Sequence, residues 1–409
     1  MSTQPFRFLH AADLQLDRPC DGLAEIPEHL VDLLIDAPYD AARRVLETAI
    51  SERVAFVLLG GDLFGHAEPT ARAFAFLRDQ FRQYHEHGIE VCWASGAQPG
   101  ACPWPEALAL PVNVHHFSSA QIETVAIHGG RHAIAEVAGG GGTNQEEIAL
   151  FSAAHAGAFG VAMTSGRIDR QRVSGVSVDY WAIAGGGGRA THSERNPVIH
   201  DPGPTQGRVP SDVGPHGCTL VEVDGDAGVQ LRFMPCDQLR WQTERLTVSA
   251  EQPVESWRTA LAERSEELRQ LVPDIPLLVT WKLEIVGNYT SRTPITDVLG
   301  SLTGWLRDRF GSGSALCWTA SLDVDSPAPD LDQWRREDTL LGDYLRAVET
   351  TRESGESLVR HGWPTDTAVR RVLESRIEVT RPDVRQHVLS AAAELGAALL
   401  RGEQVGEFA

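Results

Sequence analysis

Phe6-Arg7-Phe8-Leu9-His10-Ala11-Ala12-Asp13 is a short apolar run that ends on a carboxylate, and Val54-Ala55-Phe56-Val57-Leu58-Leu59-Gly60-Gly61-Asp62 repeats that arrangement with a tight turn before its aspartate. Each reads as a buried strand with a polar residue at its carboxyl tip. Between them, Ala42, Val45, Leu46, Ala49 and Ile50 recur at helical spacing over 41–53. A second helix is expected over 69–87. A third strand over 89–94 runs into Ser95-Gly96-Ala97-Gln98-Pro99-Gly100. Strands alternating with helices, with polar residues at the strand ends, form the α/β pattern in which ligands sit at the carboxyl edge of the sheet.

Beyond residue 110 the chain reads as β-rich, with strands expected over 123–128, 132–137, 147–152, 180–184 and 218–223. Two runs of four glycines, Gly139 to Gly142 and Gly185 to Gly188, interrupt it. A hairpin joins 219–223 to 230–235 across Asp224-Gly225-Asp226-Ala227-Gly228. Helices over 251–272 and 295–310 alternate with strands over 275–286 and 315–323 in a small α+β unit. From Asp330 the chain is Arg/Glu-rich and helical. Its last stretch, 383–400, sets Val384, Val388, Leu389, Ala392, Leu395, Leu399 and Leu400 on one stripe. Such a helix packs on a partner or on its own domain. The division expected is therefore 1–241, 245–325 and 330–409.

The 409 residues, 42% of them hydrophobic, can bury a large core in two or three domains, which excludes a disordered chain. No apolar run approaches the ~18 residues of a membrane span. The start, Met1 to Phe8, lacks the pattern of a secretory leader, so a cytoplasmic protein is expected. Cys20, Cys92, Cys102, Cys218, Cys236 and Cys317 lie far apart without zinc-type spacing and read as buried free thiols. The formal charge of -20, from 36 Lys+Arg against 56 Asp+Glu, argues against a chain that grips DNA alone.

Taken alone, Asp13 and Asp62 fit two roles: caps of the following turns, or metal ligands at strand tips. A two-metal phosphoesterase brings carboxylates and imidazoles around cations about 3.5–4 Å apart. The segments Phe8-Leu9-His10-Ala11-Ala12-Asp13-Leu14-Gln15-Leu16-Asp17 and Gly60-Gly61-Asp62-Leu63-Phe64 resemble the first two motifs of the calcineurin-like metallophosphoesterases. They are most similar to the SbcD/YhaO-type DNA repair exonucleases, which carry "HAADLHLD" and "GDLFD". Asp179-Tyr180-Trp181-Ala182-Ile183-Ala184 resembles that family's "DYWALGH". Pro202 to Arg208, Gly214 to Cys218 and Val221 to Asp224 resemble its "PGNPQGR", "GPKGC" and "VEVD". The resemblance covers residues 6–241 and is looser in the capping-like 245–325 unit. It implies a four-layer αββα sandwich flanked by helices, a small α+β capping domain and a helical C-terminal region that docks on an SbcC/YhaN-like ATPase.

The resemblance also exposes departures. Where the family has the His of Asp-x-His, this chain has Gln15. Where it has the Asn and catalytic His of Gly-Asn-His-Asp, this chain has Ala97 and Gln98. A strand-end ligand His is replaced by Ser152, and the two imidazoles of Gly-His-x-His by Gly185 and Gly187. Only Asp13 and Asp62 remain, a weak residual metal site. Gln15 and Gln98 offer neutral amides, which do not match an imidazole toward a transition metal. His10, His66, His155 and His192 are candidate replacements, though each reads first as a core or surface histidine. The glycines at 185–188 form either a bare loop or a backbone anion nest. Arg189, Arg195 and Arg208 are candidate phosphate contacts or partners of the surplus acids.

Loss of the leaving-group acid alone lowers such a rate on the order of 10²-fold or more. The resemblance thus points to an SbcD-like subunit without strong catalysis, acting with an SbcC/YhaN-like ATPase and reaching DNA through that complex. The competing reading is an active phosphoesterase or exonuclease with a remodelled site on Asp13 and Asp62, which would use manganese or another divalent metal. A homodimer is left open.

Overall fold

The first apolar run forms β1 (Phe6–Ala12) and the second β2 (Phe56–Gly61), paired in parallel with Leu9 opposite Val57 and Ala12 opposite Gly60. The computed structural model describes residues 4–65, 69–95, 104–105, 108–117, 122–130, 132–139, 151, 158–166, 168, 171, 173, 175–195, 197–287, 289, 291, 293–313, 315–324, 331–354 and 382–400. Two compact units result, Met1–Asp325 and Ser326–Ala409.

In the first unit, β1 and β2 are the centre of a six-stranded sheet. They join β3 (Glu90–Ser95), β4 (Val114–Phe117), β11 (Gly217–Val223) and β12 (Val229–Pro235) in the order β12-β11-β1-β2-β3-β4. A second six-stranded sheet contains β5 (Glu123–Gly129), β6 (His132–Gly139), β7 (Phe159–Ser165), β8 (Tyr180–Ala184), β9 (Ala190–Glu194) and β10 (Val198–Asp201). Its order is β5-β6-β7-β8-β10-β9.

Alternation along the strands decides which layers meet. Leu9 and Ala11 face α1 (Glu28–Ser51) and α2 (Ala71–Glu86), together with Val45, Leu77 and Phe81. Phe8, Phe56 and Leu58 face the second sheet and pack on Phe159, Val161 and Tyr180. The rings of Phe8 and Phe56 stack 4.7 Å apart, with Tyr180 edge-on to Phe8 at 5.2 Å. The far face of the second sheet is covered around Trp181 by Phe151, Ile168, Val173 and Val178.

Strand β13 (Arg240–Ser249) then opens a parallel sheet, β13-β14-β15, with β14 (Leu277–Val286) and β15 (Cys317–Val324). One face carries α3 (Val254–Leu271) and α4 (Ile295–Phe310), through Trp257, Leu261 and Leu302. The other face, through Trp241, Leu278 and Trp318, rests on Leu30 and Leu34 of α1.

The helix expected from residue 41 begins at Glu28 and runs through Pro38. Proline lacks the N–H that would bond the Leu34 carbonyl. The backbone N–H of Cys20 bonds that carbonyl instead, at 3.3 Å, so the helix continues. Strand β7 escaped the sequence pattern because Phe159 to Thr164 are all buried, leaving no alternation to detect. Strands β4, β9, β10 and β13 likewise lie outside the expected strands, and the strand expected over 147–152 lies, apart from Phe151, outside the described residues.

In the second unit, α5 (Leu331–Arg335) and α6 (Leu340–Ser354) precede α7 (Pro382–Leu400). The Tyr344 hydroxyl on α6 donates to the Ala392 carbonyl on α7 at 2.6 Å. The expected stripe divides: Leu389 is buried with Ala393 and Ala397, while Val388, Leu399 and Leu400 are exposed. Among the described residues no helix is long and apolar enough to cross a membrane.

The stacked aromatic layer sets a test of the sandwich. Phe56→Ala removes a fully buried ring between the sheets and should lower the unfolding free energy by about 3–5 kcal/mol, read from the shift of the urea midpoint.

Candidate functional site

Asp13 and Asp62 follow the carboxyl ends of β1 and β2, so the parallel pairing sets them side by side. The ladder continues past the strands. Backbone N–H groups of Asp13, Gln15, Leu16 and Asp17 donate to the carbonyls of Gly60, Asp62, Leu63 and Phe64 at 2.8–3.1 Å. These bonds hold Asp13 and Gln15 in left-handed backbone conformations, at φ of 49° and 42°.

The Asp13 carboxylate is only 8% exposed, and both of its oxygens are engaged. Oδ1 accepts the backbone N–H of Asp62 at 3.0 Å, and Oδ2 accepts that of Gly185, at the end of β8 in the opposite sheet, also at 3.0 Å. The side chain therefore ties the two sheets together at their carboxyl edges. The edges approach so closely that a Cβ on Gly60 would stand 2.7 Å from the Cβ of Ala184, and one on Gly61 3.2 Å from that same atom. Burial raises the Asp13 pKa and its two N–H donors oppose that rise. Asp62 turns its own Oδ1 to the N–H groups of Phe64 and Gly65, at 3.0 and 2.9 Å, which is the turn-capping role.

A third carboxylate, not singled out from the sequence, completes the arrangement. Asp201 ends β10 and is 1% exposed. It accepts the N–H of Gly186 at 3.0 Å and that of Gly203 at 2.8 Å. The glycine loop is no free anion nest, because two successive amides, those of Gly185 and Gly186, already serve Asp13 and Asp201. A Cβ at Gly186 would run into Asp201 Oδ2, so a larger residue there would have to displace the carboxylate from its amide. The only sequence signal for Asp201 was its place just before Pro202-Gly203, and nothing in that spacing tied it to residue 186.

Beneath this edge lie two imidazoles between the sheets. His10 Nδ1 pairs with the Tyr180 hydroxyl at 3.0 Å, and His200 bridges Thr191 and Thr219 at 2.9 and 2.7 Å. Burial, then the charge of His200, puts His10 well below its ordinary pKa. Burial, then the charges of Arg189 and His192, lowers His200 to about 4. Both are buried groups, neutral at neutral pH, and among the described residues neither belongs to a cluster of three or more potential metal ligands. His192 is exposed on β9.

The arginines also separate. Arg208 is 2% exposed and donates to the carbonyls of Leu14, Gln206 and Arg18 at 2.5, 2.7 and 3.2 Å. It is a brace for the loop after Asp13, not an outward phosphate contact. Arg189 is exposed, with its guanidinium 4.2 Å from the Phe233 ring centre, and Arg195 is exposed as well. Gln15 is half-buried with its amide oxygen 3.5 Å from Arg18. His66, Ala97, Gln98, Ser152 and His155 lie outside the described residues.

A dinuclear site needs several anionic or imidazole donors with lone pairs turned to a common centre. Among the described residues the donor set does not fit that group. Asp13 and Asp62 turn their carboxylates to backbone N–H groups, and Gln15, Gly185 and Gly187 add no anionic or imidazole donor beside them. Among the described residues no group of three or more His, Cys, Asp or Glu side chains could hold a metal.

No protein-family model matches the chain. Over 259 residues it is 28% identical to the uncharacterized metallophosphoesterase YhaO of Bacillus subtilis (strain 168). That match takes in 59% of this chain and 63% of the length of YhaO, so it spans less than two thirds of that relative. Two mixed six-stranded sheets with α1 and α2 outside them agree with it. The chain has a metallophosphoesterase fold. Within that fold, the carboxyl edges where β1, β2 and β8 meet are joined here by carboxylate-to-amide bonds.

The electrostatics of this edge have a measurable sign. Burial, reinforced by the charge of Asp13, raises Asp201 to about 6. The folded carboxyl thus keeps its proton to a higher pH than the unfolded one, so its contribution to stability is full below about 4 and is lost as pH rises through about 6. His200 acts with the opposite sign, losing stability as pH falls through its window, so the difference between variants is the clean readout. Relative to Asp201→Asn, the wild type should lose on the order of 3 kcal/mol between pH 4 and pH 7 in urea titrations.

Proposed function

We propose that this metallophosphoesterase-fold chain is an SbcD-like subunit in which a backbone clamp has taken the place of the dinuclear centre, so that it serves DNA repair without strong hydrolysis of its own. The observation that carries this reading is the Asp13 carboxylate, with one oxygen on the Asp62 amide and the other on the Gly185 amide. Hydrolysis by two metals needs a hydroxide held between cations and a polarised phosphoryl oxygen. Gly185 and Gly187, which by resemblance stand where the family has its last two imidazoles, supply neither.

Its partner is an SbcC/YhaN-like ATPase, bound through the Ser326–Ala409 unit. Support comes from α7, where Val388, Leu399 and Leu400 stay exposed after Leu389, Ala393 and Ala397 have packed inward. An apolar helix face left open is a surface for another helix. The charge of -20 accords with DNA being gripped mainly by the ATPase.

Two measurements test the reading. Manganese titration calorimetry should give no saturable uptake by the purified chain, and linear duplex DNA incubated with manganese should stay intact. Tight uptake of two ions, abolished by Asp62→Ala, or manganese-dependent cleavage abolished by Asp13→Ala, would return the protein to the enzymes. Separately, co-expression with such an ATPase should give a complex on size exclusion that disappears when residues 330–409 are deleted; a full-length chain eluting alone refutes the partner.

A further inference from the structure

The cysteines, scattered in sequence, are not all scattered in space. Cys20, Cys92 and Cys317 each sit in a different core cluster, whereas Cys218 and Cys236 share one, beneath α1 and α2. Their sulfurs are 3.6 Å apart, in side chains that are 0% and 1% exposed. Cys218 lies on β11 opposite Met234, and Cys236 is the first residue past β12, its N–H bonded to the His216 carbonyl at 2.9 Å. The thiols are therefore diagonal neighbours across one antiparallel ladder, where side chains on the same face come within reach. As weak donors, the thiols also meet the Met234 carbonyl, at 3.9 Å from Cys218 and 3.4 Å from Cys236.

The place of the pair matters as much as its spacing. From Cys236 the chain passes through Asp237, Gln238 and Leu239 into β13, the first strand of the second sheet system in this unit. Gln238 is held there by Gln206, whose Oε1 accepts its N–H at 2.8 Å, and Asp237 pairs with Arg240 at 2.7 Å. Strand β12 is the edge strand of its sheet, next to β11, and edge strands belong to the parts of a fold that open locally at least cost.

We infer that Cys218 and Cys236 are a disulfide-forming pair, closed by small-molecule disulfides, and that closure ties β11 to the passage into β13. In the first step one protein thiolate attacks a sulfur of the oxidant, forming a mixed disulfide and releasing one small thiol. The second protein thiolate then attacks the protein sulfur of that mixed disulfide, forming the Cys218–Cys236 bond and releasing the second small thiol. Two electrons pass to the oxidant, and the two protons given up by the cysteines end on its two thiols. The hydrogen bond to Cys236, and then burial, hold the Cys218 thiol well above its ordinary pKa, so the reaction follows opening of the edge and is slow.

The test uses the full-length protein and glutathione disulfide. After a day of exposure without denaturant, alkylation and non-reducing peptide mapping should find a cross-linked peptide containing Cys218 and Cys236. The intact mass should fall by two hydrogen atoms with no glutathione retained, and dithiothreitol should reverse both changes. Amide exchange over 237–240 should slow in the oxidised form. Cys236→Ala and, separately, Cys218→Ser should each leave a glutathione adduct or a free thiol in place of the cross-link. In the wild type, thiols that stay free, an adduct that persists, or linkage through another cysteine overturns the inference.

Discussion

The two oxygens of the Asp13 carboxylate are shared between the edges of two sheets, and the architecture around them follows from that sharing. A hydrogen bond from a backbone amide to a buried carboxylate is short-ranged and directional. For one carboxylate to reach Asp62 N in one sheet and Gly185 N in the other, the strand ends must converge. Convergence explains the small residues in that layer, since Gly60, Gly61 and Ala184 leave no volume for larger side chains. It also explains the strained conformations at Asp13 and Gln15, which are held by the ladder to residues 60–64 and by the inward guanidinium of Arg208.

Metals and amides both answer to negative charge, but they make different demands on the surrounding sequence. A cation asks for imidazoles and further carboxylates, whereas an amide asks for backbone free to turn toward the carboxylate. Glycine at 185 and 186 supplies that freedom, and Asp201 extends the arrangement by taking the next amide along. The neutral His10 and His200 below fit this account, because a buried imidazolium beside the network would need an anion that has been spent on the backbone.

The acidic surplus has a place in this picture. A chain carrying -20 repels a nucleic-acid backbone unless cations or basic side chains intervene. Arg208 is turned inward and Arg189 lies against Phe233, so neither of these arginines stands free of protein contacts.

Local pattern carried much of the architecture. The apolar runs ending on Asp13 and Asp62, the helix over Ile295–Phe310 and the strand over Tyr180–Ala184 were legible because periodicity and turn residues act over a few neighbours. Strand β7 and the first half of α1 were not, because full burial removes alternation and because the carbonyl freed by Pro38 is rescued by Cys20, eighteen residues upstream. The absence of imidazoles at 185 and 187 was likewise plain from residue identity alone. What the amides of that loop bond to was not. Asp201 meets Gly186 across fifteen residues, Asp13 meets Gly185 across 172, and Cys218 meets Cys236 across a hairpin. Those pairings depend on distances between strand ends, which no local property of the chain encodes, and only the closure of one sheet on the other decides them.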